Sequence, residues 1–208
     1  MNYYLDTEFI HYRKQPKLLG LNIGAPIVTL DLISIGIVSE DGREMYAISN
    51  QFDLNAAWKN QWVRHNVLGQ IHREMCEKQG AYAKSYHWRM FEPFSAKSIK
   101  WMLRHSGESR YSIGRKVLQF VVGDPDVRLY GYFSDYDYVA LGSLFGIMTD
   151  MGGNLPMHCM DLKQMMVERG LDSAWKDANC PDPENEHNAL ADARWNKRLH
   201  EAILSVKP

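Results

Sequence analysis

Three residues near the start of the chain, Asp6-Thr7-Glu8, place two acids one residue apart inside the apolar and aromatic run Tyr3–Ile10. The β-branched and aromatic enrichment of that run predicts a strand over about residues 2–10. Side chains alternate along a strand, so Tyr4, Asp6 and Glu8 share one face, and Leu5, Thr7 and Phe9 take the other. Two carboxylates roughly 7 Å apart on a buried strand repel one another, and burial opposes their ionisation. Basic side chains, a proton or a metal ion must compensate them.

Two further acids stand where apolar residues are expected. In "SDYDYVALGSLFGIM", Asp137 heads the helical stripe Leu141, Leu144, Phe145 and Met148, whereas Ser134 or Asp135 is placed to cap the helix. In the long terminal helix, Asp192 heads the stripe Trp195, Leu199, Ile203 and Val206. A carboxylate turned to the core side of a helix needs a partner. Four such groups aimed at one point need roughly two divalent cations, and hard oxygen ligands select Mg²⁺ or Mn²⁺. Two ions about 4 Å apart clamp the attacking and leaving oxygens of phosphoryl transfer. The attacking water then needs a base. His187 precedes Asp192 by five residues, on the polar loop "CPDPENEH" whose prolines keep it out of the helix; that loop is expected to be mobile.

These residues must be carried by an α/β framework. "VTLDLISIGIVS" and "REMYAISNQF", joined across Asp41-Gly42, read as second and third strands of an antiparallel meander. Residues 11–28, with Gly20, Gly24 and Pro26, read as a long loop. Helical periodicity follows in "NAAWKNQWVRHNVLGQI", in "SAKSIKWMLRHS" capped by Ser95, and in "SIGRKVLQFVVG". The second half alternates: strand "VRLYGYF", the Asp137 helix, strand "MHCMDL", helix "LKQMMVERG" and the terminal helix. That order implies parallel strands covered by helices, hence one mixed sheet with an antiparallel edge in a single domain over 1–208.

Composition narrows the partners. Net charge is −1, so nucleic acid is not held by bulk charge. Local attraction centres on Lys84 to Lys116, where Lys84, Arg89, Lys97, Lys100, Arg104, Arg110, Arg115 and Lys116 interleave with Tyr86, Trp88, Phe91, Phe94 and Trp101. That mixture suits phosphate contacts with base stacking, and equally a solvated helix face over core aromatics. No apolar run reaches the ~18 residues of a membrane span. The three scattered cysteines argue against a disulfide framework. No leader-like pattern precedes the first strand, so a cytoplasmic location without membrane partners is expected.

Asp-x-Glu on a first strand, a later helical Asp and His187-x-Ala189-x-x-Asp192 together resemble the DEDDh 3'-5' exonucleases, the superfamily of RNase T and the proofreading exonucleases. "YYLDTEFI", "LISIGIVSEDGRE", "WVRHNVLGQI", "YDYVALGSLFG" and "HNALADAR" further resemble small bacterial exoribonucleases described as polyadenylate-specific. The resemblance implies a ribonuclease H-like fold with a mixed five-stranded sheet. It implies Asp6, Glu8, Asp137 and Asp192 as ligands of two Mg²⁺ or Mn²⁺ ions, with His187 as general base. Thr7 and Phe9 are the expected substrate contacts, although alternation turns Phe9 away from the acids. Single-stranded RNA, shortened from its 3' end to nucleoside 5'-monophosphates, is the expected substrate, and a homodimer is implied. The rival readings are an exodeoxyribonuclease, an oligoribonuclease, or a binding module without catalysis. The long loop at 11–28 and the stretch 72–116 depart from the resemblance.

Overall fold

A computed structural model describes residues 1–80, 93–152 and 154–206. Five strands form one mixed sheet in the order β5-β4-β1-β6-β7, flanked by helices as a ribonuclease H-like fold requires. The strands are β1 (Asn2–Lys14), β4 (Ile27–Ser39), β5 (Glu44–Ile48), β6 (Arg128–Gly131) and β7 (Met160–Asp161), with β2 (Lys17–Leu18) and β3 (Leu21–Asn22) as a separate small hairpin. β5, β4 and β1 are antiparallel; β1, β6 and β7 are parallel.

The stretch 11–28 is not a loop. β1 runs on to Lys14 and pairs with β4 back to Ile27, and β2 and β3 close the tip, so the stretch is a β-arm. The sequence hid it because the arm buries no alternating face: Leu18, Leu19, Leu21, Ile27 and Val28 are all exposed. "NAAWKNQWVRHNVLGQI" is also not one helix. It divides into α1 (Leu54–Lys59), a π-helical turn (Val63–Leu68) and the start of α2 (Gly69–Gly80). The Asn60 side chain ends one segment and caps the next by accepting from Val63 N–H at 3.1 Å.

α3 (Ala96–Ser106) carries the expected Ser95 cap, completed by Ser98 into a reciprocal box, and α4 (Arg110–Phe120) follows it. α5 (Asp135–Gly142) is shorter than its apolar stripe suggested. Ser134 holds the cap position but makes no capping bond, and Asp161 instead accepts from Ser134 N–H at 2.8 Å. α6 (Leu162–Glu168), α7 (Ser173–Asn179) and α8 (Ala189–Ser205) complete the chain; α7, capped by Asp172, has too few apolar residues to announce itself in sequence. Lys84, Tyr86, Trp88, Arg89 and Phe91 lie outside the described residues. Of the remaining basic run, Arg110 bonds Ser143 and Lys116 pairs with Glu108, while Lys97, Lys100 and Arg104 are exposed.

The two faces of β1 are divided as alternation requires. Tyr3 and Leu5 pack against Ile113, Val117, Ala140 and Leu141 of α4 and α5. On the opposite face, Tyr4 packs with Trp195, Leu199 and Ile203 of α8, and Ile10 with the α1–α3 group. Asp6 and Glu8 lie between Tyr4 and Ile10, at the seam where two groups of helices meet. At this point α8 rests on bare backbone. Gly36 of β4 pairs with Asp6, and a Cβ on Gly36 would stand 2.2 Å from the Ala189 carbonyl oxygen. Asn196 ties the same helix to β1 by donating to the Leu5 carbonyl at 2.8 Å.

Gly36→Ala is expected to lift the first turn of α8 from the sheet. Overpacking of this kind costs about 1–3 kcal/mol, to be read as a lowered urea midpoint. Turnover should fall further than stability, because Asp192 and His187 move with the helix.

Candidate active site

β1 supplies Asp6 and Glu8, α5 supplies Asp137, and the first turn of α8 supplies Asp192. Each arrives by a different local device. β6 pairs with β1 only over Asn2–Tyr4, so the β6-side edge of β1 is open beyond that point. α5 follows β6 directly and fills the gap. The amide that edge would leave unpaired, Thr7 N–H, donates to Asp137 Oδ1 at 3.0 Å, and the Thr7 hydroxyl donates to the same oxygen at 2.6 Å. Asp137 is buried and Asp135 exposed, as the helical stripe required. At α8, Asn188 caps the helix through Leu190 N–H and Ala191 N–H, each 3.1 Å away, and Asp192 accepts from His187 N–H at 2.8 Å.

A cleft of about 370 Å³ opens over Asp6, Glu8 and Asp192 and is lined also by Thr7, Phe9 and His187; Asp137 does not line it and meets the group through Thr7. Phe9 reaches it despite its position on the other face of β1. The pairing register slips between Glu8 and Phe9, and the Phe9 ring stacks on exposed Tyr136 with centroids 5.9 Å apart. The cleft is also lined by residues that the sequence did not assign to the site: Trp62, Tyr132, Lys176, Asp182, Trp195 and Asn196. Only Trp195 had a visible signal, as a member of the α8 stripe. Lys176 is buried, yet it stays charged by pairing with Asp182 at 2.7 Å and Asp177 at 3.1 Å. Trp62 places its ring edge-on to His187, centroids 4.7 Å apart.

The loop before α8 is not weakly anchored. Trp195 Nε1–H donates to the Cys180 and Pro181 carbonyls at 3.2 and 3.0 Å, Lys176 holds Asp182, and Gln70 donates to the Glu186 carbonyl at 3.2 Å. Counting apolar residues misses this loop's anchors because they are polar.

Burial is the largest cause of a raised pKa at each of the four carboxylates. Burial pushes Asp6 well above the ordinary range, and the charges of Asp137, Glu8 and Asp192 add to it. Glu8 is raised by burial, then by Asp192 and Asp137. Asp137 is pushed up to about 6 by burial, against the lowering effect of its two Thr7 bonds. Asp192 is pushed up to about 7 by burial, against the His187 amide. Among the described residues no donor is bonded to the Asp6 or Glu8 carboxylate. Ligand atoms of Glu8, His187 and Asp192 lie within 4.8 Å of one another. Clustered hard oxygen donors that resist ionisation alone fit divalent cations such as Mg²⁺ or Mn²⁺.

A mixed five-stranded sheet with acids gathered on its central strand and on two flanking helices defines an α/β protein of ribonuclease H-like architecture with an acidic centre. The chain belongs to the 3'-5' exoribonuclease Rv2179c-like domain family, whose domain matches residues 2–204. It is 31% identical over 212 aligned positions to 3'-5' exoribonuclease Rv2179c of Mycobacterium tuberculosis strain H37Rv, spanning 99% of this chain and 95% of the relative. The corresponding 3'-5' exoribonuclease MT2234.1 of strain CDC 1551 matches to the same extent.

Because the folded carboxylates bind protons more tightly than unfolded ones, the stability they contribute is complete below the ordinary value of 3.8. It is lost as pH rises through about 6 for Asp137 and about 7 for Asp192. Thermal melts in chelator should therefore fall across this window. Mn²⁺ should restore the melting temperature at the alkaline end, and Asp192→Asn should flatten the slope in chelator. A metal-free melting curve indifferent to pH in both proteins would contradict the charge crowding.

Proposed function

We propose that this protein is a metal-dependent 3'-5' exoribonuclease of the DEDDh type, which shortens single-stranded RNA and releases nucleoside 5'-monophosphates. The observation that carries the reading is the gathering of Asp6, Glu8 and Asp192 beside His187 in one cleft, with Asp137 bonded to Thr7 between the two strand acids, in a chain whose relatives are named 3'-5' exoribonucleases.

Asp6, Glu8, Asp137 and Asp192 would hold two Mg²⁺ or Mn²⁺ ions. Such ions, when bound, supply Lewis-acid activation of water and offset negative charge developing on the scissile phosphate. The protein's own part is positioning and proton transfer. Thr7 orients Asp137 through two hydrogen bonds, so one of its oxygens is turned and the other left for a cation. His187 accepts the proton of the attacking water at an imidazole nitrogen, while its backbone amide steadies Asp192. Phe9, stacked on Tyr136, offers an aromatic surface against a terminal base, where stacking tolerates any sequence.

The reaction is tested with 5'-labelled RNA and DNA of one sequence, together with oligo(A) and oligo(U), in Mg²⁺, Mn²⁺ or chelator. A ladder shortening from the 3' end of RNA, absent in chelator, is expected. Shortening of DNA alone, or binding without cleavage, would replace the reading by one of its rivals.

Two neighbouring acids separate ligation from surface charge. Asp137→Ala should abolish turnover. Asp135→Ala should leave it intact and cost at most about 1 kcal/mol, the usual worth of an acid in the first turn of a helix.

His187→Ala should slow turnover by about 10²- to 10⁴-fold, the usual contribution of a general base. Its stabilisation by Mn²⁺ should match that of the wild type. A His187→Ala protein no longer stabilised by Mn²⁺ would make the imidazole a ligand instead, which its proximity to Glu8 and Asp192 also permits.

A further inference from the structure

His187 has a left-handed backbone, with φ +68°. A residue other than glycine holds that conformation only where its surroundings over-determine it. Two of the constraints come from one helix. On α2, Gln70 donates from Nε2 to the Glu186 carbonyl at 3.2 Å, and Glu74 Oε2 accepts from Asn188 Nδ2 at 3.1 Å. Residues 186 and 188 are those immediately before and after His187.

The spacing suits the task. Residues four apart lie on one helix face, separated by about 6 Å along the axis. α2 therefore meets the chain on both sides of the histidine with one rigid edge. The Glu74 contact also fixes which way the Asn188 amide is turned: with Nδ2 on Glu74, Asn188 Oδ1 faces the Leu190 and Ala191 amides that it caps. Glu74 and Tyr46 of β5 line one small pocket, so the edge is referenced to the sheet that carries Asp6 and Glu8.

We infer that Gln70 and Glu74 form a clamp that sets the position of the His187 imidazole relative to the carboxylates, as positioning residues outside the reacting shell. The inference rests on the reading of His187 as general base. Displacing a catalytic group by about 1 Å costs on the order of 10²-fold in rate, and removing such outer supports typically costs 10- to 100-fold.

The test compares Gln70→Ala/Glu74→Ala with wild type, alone and in a His187→Ala background, with Glu77→Ala as an exposed control on the same helix. With His187 present, the double substitution should lower kcat by about 10- to 100-fold. KM for RNA and the Mn²⁺-induced rise in melting temperature should stay unchanged. Glu74→Gln, which keeps an acceptor oxygen for Asn188, should recover most of the loss when Gln70 is intact. In the His187→Ala background the same double substitution should cost no more than about two-fold, because the group it positions is gone. An equal loss with and without His187, or a loss of Mn²⁺ stabilisation, would overturn the clamp and leave the exoribonuclease reading standing. A His187→Ala protein with wild-type kcat would overturn the clamp together with the general-base role of His187 on which it rests.

Discussion

The architecture depends on one close contact, in which the first turn of α8 lies on the backbone of β4 at Gly36, directly across from Asp6. Any side chain at that position would occupy the space of the Ala189 carbonyl. The contact brings the N-terminal end of α8 down to the level of the central strand. Asp192 and His187, which belong to the last tenth of the chain, thereby reach acids that belong to the first. Asn196 locks the rotation of the helix from below by bonding the Leu5 carbonyl, and Trp195 holds the incoming loop from the side.

The same contact creates an electrostatic problem that folding alone does not solve. At an effective dielectric of about 20, two carboxylates roughly 7 Å apart repel by about 2 kcal/mol, and this centre holds four. Burial adds to it and is the largest cause of the raised values of Asp137 and Asp192, and Thr7 relieves only one oxygen. The cleft's buried cation, Lys176, is committed to Asp182 and Asp177 rather than to the cluster. On the proposed reading, cations bound there would offset this cost, so affinity for the ions and strain in their absence would have one origin.

Around this centre the support is polar rather than apolar. The loop from Cys180 to Asn188 buries little hydrocarbon, yet it is bonded by Trp195, Lys176, Gln70, Asp192 and Glu74 from three separate elements. A loop held in this manner keeps a defined path while remaining close to water. The β-arm at 11–28 contrasts with it: an extension of the two central antiparallel strands with exposed leucines at its tip.

The sequence by itself determined the order of most elements, the mixed sheet, and the unusual places of Asp6, Glu8, Asp137 and Asp192. Each of these is a matter of local periodicity: a period of two for the strand acids, 3.6 for the helical ones, and a clash between residue type and expected face. It also separated Asp137 from Asp135, because their exposure follows from helical angle alone. Only the tertiary structure decided the rest, because the rest depends on residues far apart in sequence. The arm could not be read because its pairing leaves no buried face. The break between α1 and α2 is made by a π-turn and an Asn cap that apolar spacing does not report. Phe9 enters the cleft through a register slip, which exists only between two strands. Trp62, Lys176 and Asn196 line the site only because α8, α7 and the π-turn converge on β1, and α2 meets the chain beside His187 only after the helix has packed. Pattern fixes which face a residue takes; packing fixes what that face meets.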